Sequence, residues 1–214
     1  MCPDIRRMPM RVHQWKTGPM QNFVYVLVDD ARQAMLVDPS FEVPRVLRQV
    51  DELRVRVTHI LATHGHHDHV DGIPAAKDRL GAMVVAHESA DHPAVDQRVK
   101  HGDSFSVGQM RVQVLHTPGH RFDAVCYLVE GTHLLTGDTL FVGECGRVDL
   151  PGSDPRAMHH SLLSVLRSLP DELIVLPGHD YGRTPTSTMG REKQENHTLK
   201  PRTLDEFLAF MAEP

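Results

Sequence analysis

"ATHGHHDHVDG", residues 62–72, sets four histidines with an aspartate among them at the end of an apolar run, "THILA" (58–62). The length and β-branching of "VTHILAT" (57–63) read as a buried strand, and a short helix is expected from about Asp71, with Asp as cap and Pro74 in the first turn. Between them His64, His66, Asp68 and His69 follow the pattern His-x-His-x-Asp-His. That order of imidazoles and a carboxylate is metal-ligand spacing, and its context decides how far the reading holds.

Three further apolar strands end on a residue of the same chemistry. "VQVLHTPGH" delivers His120, "HLLTGD" delivers Asp138 and "LIVLPGH" delivers His179, each directly after a glycine. Glycine lets the backbone turn tightly and bring the next side chain into a crowded pocket. Four loops on a rigid sheet edge therefore converge, which is how α/β proteins build sites. Five imidazoles and two carboxylates without thiolate suit zinc, iron or manganese and disfavour a structural Cys-type zinc site. Seven ligands exceed one tetrahedral shell, so two adjacent divalent ions are expected, sharing Asp138, which stands apart in sequence from the histidine cluster. Asp68 and Asp138 are the candidate catalytic carboxylates. Two ions a few ångströms apart activate water and stabilise charge on an attacked carbonyl.

The rest of the chain alternates strand and helix. "FVYVLV" (23–28) and "AMLVD" (34–38) form an expected hairpin, and 42–53 carries Val43, Val46, Leu47, Val50 and Leu53 at helical spacing. Strands are expected at "AMVVAH", "MRVQVLH", "AVCYLV", "THLLTG" and in "ELIVLPGHDYG". Helices are expected over 154–168 and in "TLDEFLAFM". With 214 residues and 40% hydrophobic content the chain is one domain, 1–214, in which helices flank two central sheets. A net charge of −5 with interspersed signs gives no basic stripe for nucleic acid. No apolar run suits a signal peptide or a membrane span, so the expected address is cytoplasmic. Cys2, Cys126 and Cys145 are too scattered for a disulfide framework.

Through "THGHHDH", "HTPGH", "TGDTLF", "CGR" and "PGHDYG", in that order from 63 to 182, the chain resembles the metallo-β-lactamase-fold superfamily, and within it the glyoxalase II type. The resemblance implies a four-layer αβ/βα sandwich. It puts His64, His66 and His120 on a first metal, Asp68, His69 and His179 on a second, with Asp138 bridging. Arg147, in "CGR", and Tyr181, after "PGH", inherit places near a glutathione moiety.

Two departures matter. Only about thirty residues follow "PGHDYG", too few for the helical domain that completes the glutathione site of the best-known glyoxalase II enzymes, so the tail, about 183–214, is expected to pack on the main domain. That tail resembles those of short glyoxalase-II-like proteins and of persulfide dioxygenases, which hold one iron through two histidines and one aspartate; here these would be His64, His120 and Asp138. The expected activity is hydrolysis of a small thioester such as an S-acylglutathione, and the alternative is oxidation of glutathione persulfide at one Fe(II). A homodimer is an assembly the sequence allows. His13, His59, His87, His92, His101, His133, His159, His160 and His197 are expected to be ordinary structural or solvated residues, and His67, which alternates with the ligands, to touch neither metal nor substrate. His116 supports the site from behind or fills space. Asp123 and Asp149 are expected in turns, Cys126 and Cys145 in the interior.

Overall fold

The computed structural model describes residues 10–212; Cys2 and most of the N-terminal stretch read above as no signal peptide lie outside them. The way the core is built is visible in one strand, Asn22–Val28, which is buried along its whole length. Val24, Val26 and Val28 face one apolar cluster while Phe23, Tyr25 and Leu27 face another. With side chains alternating between faces, such a strand belongs to a sheet covered on both sides.

The described residues form two six-stranded sheets. The first runs β1 (Arg11–Thr17), β2 (Asn22–Val28), β3 (Gln33–Val37), β4 (Arg56–Leu61), β5 (Met83–His87) and β6 (Gln97–Val99) in sequence order. The second takes β7 (Ser104–Val107), β8 (Met110–His116), β9 (Val125–Val129), β10 (His133–Gly137), β11 (Ile174–Pro177) and β12 (Ser187–Thr188). β1 to β3 pair antiparallel and β3 to β6 parallel, and in the second sheet only β10 and β11 are parallel.

Three apolar clusters separate four layers. On the outer face of the first sheet lie α1 (Val43–Leu53) and, after the short α2 (His67–Val70), α3 (Ile73–Leu80); these give Val46, Val50, Ile73 and Ala76 to the first cluster. The second cluster joins the sheets. The third packs the second sheet against α4 (Pro155–His159), α5 (Met189–Glu195) and α6 (Leu204–Met211) through Met158, Met189 and Phe207. This is an αβ/βα sandwich in a single domain, with residues of the 183–212 tail buried against the second sheet. No described helix is long and apolar enough to cross a membrane.

Two tyrosines tie the sheets together where the site emerges. Tyr127 donates to the carbonyl of Ala62 at 2.9 Å and Tyr25 to that of Pro177 at 2.6 Å. Ala62 lies two residues before His64 and Pro177 two before His179. A phenol this deeply buried without an acceptor costs about 1–3 kcal/mol, so these bonds fix the strand ends from which the candidate ligands project.

Local differences from the sequence reading have physical causes. Asp71 does not cap a helix: it ends the single turn of α2, and Gly72 precedes α3 without a side-chain cap. Over 154–168 the start is as expected, Asp154 accepting from the amides of Arg156 and Ala157, but the helix widens into π turns over His160–Val165 and closes in a 3-10 turn. Asp123 lies in a turn as expected, but its side chain is fully buried and paired with Arg121. Cys126 and Cys145 are buried and unpaired, with burial raising their thiol pKa to about 11 and about 12.

Candidate metal centre

β4 leads through Thr63 to His64, Gly65 and His66, and α2 then turns Asp68 and His69 inward. From the second sheet, the loop after β8 brings His120, the end of β10 brings Asp138 and the end of β11 brings His179. The chain must pass very close to itself here. Gly137 has φ +47°, and a Cβ on it would stand 2.6 Å from Thr63 Oγ1; a Cβ on Gly178 would stand 2.4 Å from Asp138 Oδ1. A side chain at either position would occupy space already taken by the site.

The seven residues converge as two groups. His66 Nδ1 lies 3.1 Å from His64 Nε2 and 2.9 Å from His120 Nε2. His69 Nε2 and His179 Nε2 are 3.2 Å apart, and Asp68 Oδ2 is 3.4 Å from each. Asp138 reaches both, Oδ1 lying 3.4 Å from His69 Nε2, and Oδ2 3.5 Å from His120 Nε2 and 3.3 Å from His179 Nε2.

These positions fit divalent ions. Zinc–nitrogen bonds of about 2.0–2.1 Å at tetrahedral angles give nitrogen–nitrogen edges of about 3.3 Å, close to what the imidazoles present. Asp138 Oδ1 is buried without a hydrogen-bond partner, an omission that a cation repairs. Donor atoms of His64, His66 and His120, of Asp68, His69 and His179, and of His64, His69 and Asp138 lie within 4.8 Å of one another.

Hydrogen bonds behind the imidazoles set which nitrogen faces the centre. Nδ1 of His120 donates to the carbonyl of Arg147 at 2.8 Å, and Nδ1 of His179 to that of Met20 at 2.8 Å. Asp38 accepts from the amide and hydroxyl of Thr63 and, at 3.0 Å, from Nδ1 of His69. With its proton given to Asp38, Thr63 Oγ1 is left to accept from Nδ1 of His64 at 3.1 Å. Four Nε2 atoms thus face inward, while His66 presents Nδ1. Asn22 donates from Nδ2 to both the carbonyl and Oδ2 of Asp68 at 2.9 Å. Such outer partners orient ligands and raise their basicity.

Asp38 and Asn22 escape the sequence reading. Asp38 carries a signal all the same, since "AMLVD" ends an apolar strand on a carboxylate as "HLLTGD" does.

Electrostatics divides the imidazoles into two kinds. Burial, then the charge of His69, holds His64 well below the usual imidazole range; burial, with His120 and Arg121, brings His66 down to about 4. Burial also opposes charge on His69 and His179, but the carboxylates prevail: Asp138, Asp38 and Asp68 hold His69 well above its ordinary value, and Asp138 and Asp68 raise His179 to about 9. Asp68 and Asp138 are in turn held far below the carboxylate range, against the cost of burial, by bonds and charges from His69 and His179.

A cleft of about 290 Å³ opens over these groups. Met20, Phe141 and Leu150 give it apolar walls, and exposed His67, Arg147 and Tyr181 stand around it. Tyr181 stacks on His179 with ring centroids 4.6 Å apart. The Arg147 side chain is paired bidentately with Asp149 at 2.9 and 2.7 Å, so Asp149 too is more than a turn residue. His116 lies outside the donor groups, stacked on His87 at 3.9 Å with Nε2 donating to the carbonyl of Phe122. None of the other histidines expected to be ordinary enters a donor group.

Residues 17–179 match the family described as the metallo-beta-lactamase superfamily. The hydroxyacylglutathione hydrolase of Methylobacterium nodulans is 42% identical over 184 residues, covering 85% of this chain and 71% of the relative. The persulfide dioxygenase ETHE1 of Homo sapiens, described as mitochondrial, is 29% identical over 195 residues, covering 88% and 75%. The crystal structure of ETHE1 from Myxococcus xanthus superposes with a TM-score of 0.89 at 36% identity, over 95% of this chain and 92% of that one. Taken with two sheets whose loops converge on a His/Asp cluster, these matches establish that the chain belongs to the metallo-β-lactamase superfamily.

Proposed function

We propose that this protein hydrolyses a small thioester of the S-acylglutathione class, using two divalent ions held by His64, His66 and His120 on one side and Asp68, His69 and His179 on the other. The observation that carries the reading is Asp138, whose two oxygens reach toward both groups of donors. Ions bound there supply water of lowered pKa and polarise a carbonyl oxygen. The chain's own residues bind and orient. Met20, Phe141 and Leu150 form a dry wall for the acyl group, Tyr181 fixes the face of His179, and Arg147 leaves Asp149 to pair with a carboxylate of the thiol carrier. A further open groove of about 700 Å³, sharing Tyr181 and bordered by Arg183 and Arg191, gives a long polar thiol arm a place to extend.

Oxidation of glutathione persulfide at one ferrous ion is the second reading, favoured by the near full-length likeness to the Myxococcus xanthus ETHE1 structure. Its ligands would be His64, His120 and Asp138, a facial set that leaves open positions. One experiment separates the two. Under strictly anaerobic conditions the hydrolase cleaves S-D-lactoylglutathione, and His69→Ala, which dismantles the second group, abolishes that cleavage. Oxygen uptake driven by glutathione persulfide in the ferrous protein, without thioesterase activity and surviving His69→Ala, overturns the hydrolase reading.

A further inference from the structure

Directly behind the first donor group lies a carboxylate that the proposed reaction does not use. The Asp123 side chain is wholly buried, with Oδ1 accepting from Arg121 Nε at 2.8 Å and Oδ2 without any partner. Asp123 borders a cavity of about 10 Å³ together with His64, Gly65 and Val70, space for a single water at most. A Cβ built on Gly65 would stand 2.8 Å from Asp123 Oδ2 and 3.0 Å from Arg121 Nη2. The ion pair therefore lies against the backbone of the residue that separates His64 from His66. The same loop is bonded to the residue before His64, through the Val125 amide and the Thr63 carbonyl at 2.8 Å.

We propose that Arg121 and Asp123 are positioning residues for the first metal: their ion pair clamps Gly65, so that His64 Nε2 and His66 Nδ1 converge on one ion. A buried carboxylate persists only when paired, and the guanidinium that pairs it is held in turn against the ligand loop. Glycine at 65 is what admits the pair, since any side chain there would displace it. Three elements thus fix two ligands: the loop after β8, the strand-end residue Thr63, and Gly65 itself. The inference rests on the reading that the first group binds a divalent ion, and it holds whichever reaction follows.

The test is zinc titration of the metal-free protein against a chromophoric chelator, with the fold checked by circular dichroism. Asp123→Ala weakens the binding step that His66→Ala abolishes by about 10–100-fold, the usual cost of losing an outer partner. Asp123→Asn keeps an acceptor for Arg121 Nε and restores most of that affinity. In a His179→Ala background Asp123→Ala still weakens the remaining step, whereas in a His66→Ala background it changes nothing further. Should Asp123→Ala fail to fold, the pair Arg121→Ala with Asp123→Asn, which buries no unpaired charge, must show the same selective loss. Equal weakening of every step, or native affinity throughout, overturns the inference. Native protein that takes up no zinc overturns the metal reading and this inference with it; native uptake with an unaffected Asp123→Ala overturns this inference alone.

Discussion

Nδ1 of His69 donates to Oδ2 of Asp38 at 3.0 Å, and both side chains are almost completely shielded from solvent. The same carboxylate holds the Thr63 amide at 2.8 Å and its hydroxyl at 2.6 Å. One residue at the end of β3 thereby orients a candidate ligand of the second group directly and, through Thr63, a candidate ligand of the first.

Asp38→Ala strands three buried donors. Each costs about 1–3 kcal/mol when left unsatisfied, so the metal-free protein is expected to lose at least about 3 kcal/mol in urea denaturation. Metal affinity should fall by about 10–100-fold. Native metal affinity in Asp38→Ala would show that His69 needs no such partner.

Asp138→Ala should lose metal more completely than Asp68→Ala. Asp138 stands within 3.5 Å of donors in both groups, while Asp68 approaches His69 and His179 only. Elemental analysis after dialysis checks this, and full metal content in Asp138→Ala contradicts the shared role.

The pH dependence of the metal-free protein follows from the two kinds of shift. For His179, raised from 6.5 to about 9, and for His69, also raised, the stabilisation is complete below about pH 6.5 and disappears as pH climbs through the folded value. For Asp68 and Asp138, both lowered from 3.8, the stabilisation is present above that value and disappears as pH falls. His64 and His66, both lowered from 6.5, act in the opposite sense and cost stability as pH falls below that value, so the melting temperature of metal-free protein should be highest near about pH 6.5 and fall on either side. Metal uptake at pH 7 must expel the imidazole protons, so zinc added in weak buffer acidifies the solution and apparent affinity grows with pH. Uptake without proton release would mean that His69 and His179 are neutral beforehand.

Arg147→Ala tests the mouth of the cleft. A remote charge pair binds ground and transition states alike, so KM should rise while kcat stays within about threefold. The carbonyl of Arg147 still accepts from His120, which keeps the ligand in place. A large fall in kcat with unchanged KM would assign Arg147 to the chemistry instead.

The donor groups are legible because each candidate ligand follows an apolar strand, four of them (His66, His120, Asp138 and His179) directly after a glycine. Asp38 ends a strand in the same way, but nothing beside it in sequence resembles a ligand, and its role depends on Thr63 and His69 arriving from elsewhere. Asp123 looks like a turn residue because only the packing of its loop on Gly65 buries it. The π turns of His160–Val165 are invisible to periodicity: Met158, Leu162 and Leu166 recur every fourth residue in either form. β1, β6, β7 and β12 escape because they are short or lie at sheet edges, where partly exposed positions weaken the alternation.

Each of the three donor groups draws members from both halves of the chain, at least one from residues 64–69 and at least one from residues 120–179. Among the described residues neither half encloses such a trio by itself. Bound metal is then a rivet through the two sheets, and its binding energy becomes resistance to their separation. Retained metal is for this reason a readout of tertiary assembly as much as of the site: a variant whose sheets fail to dock would be found by its empty centre before any assay of turnover.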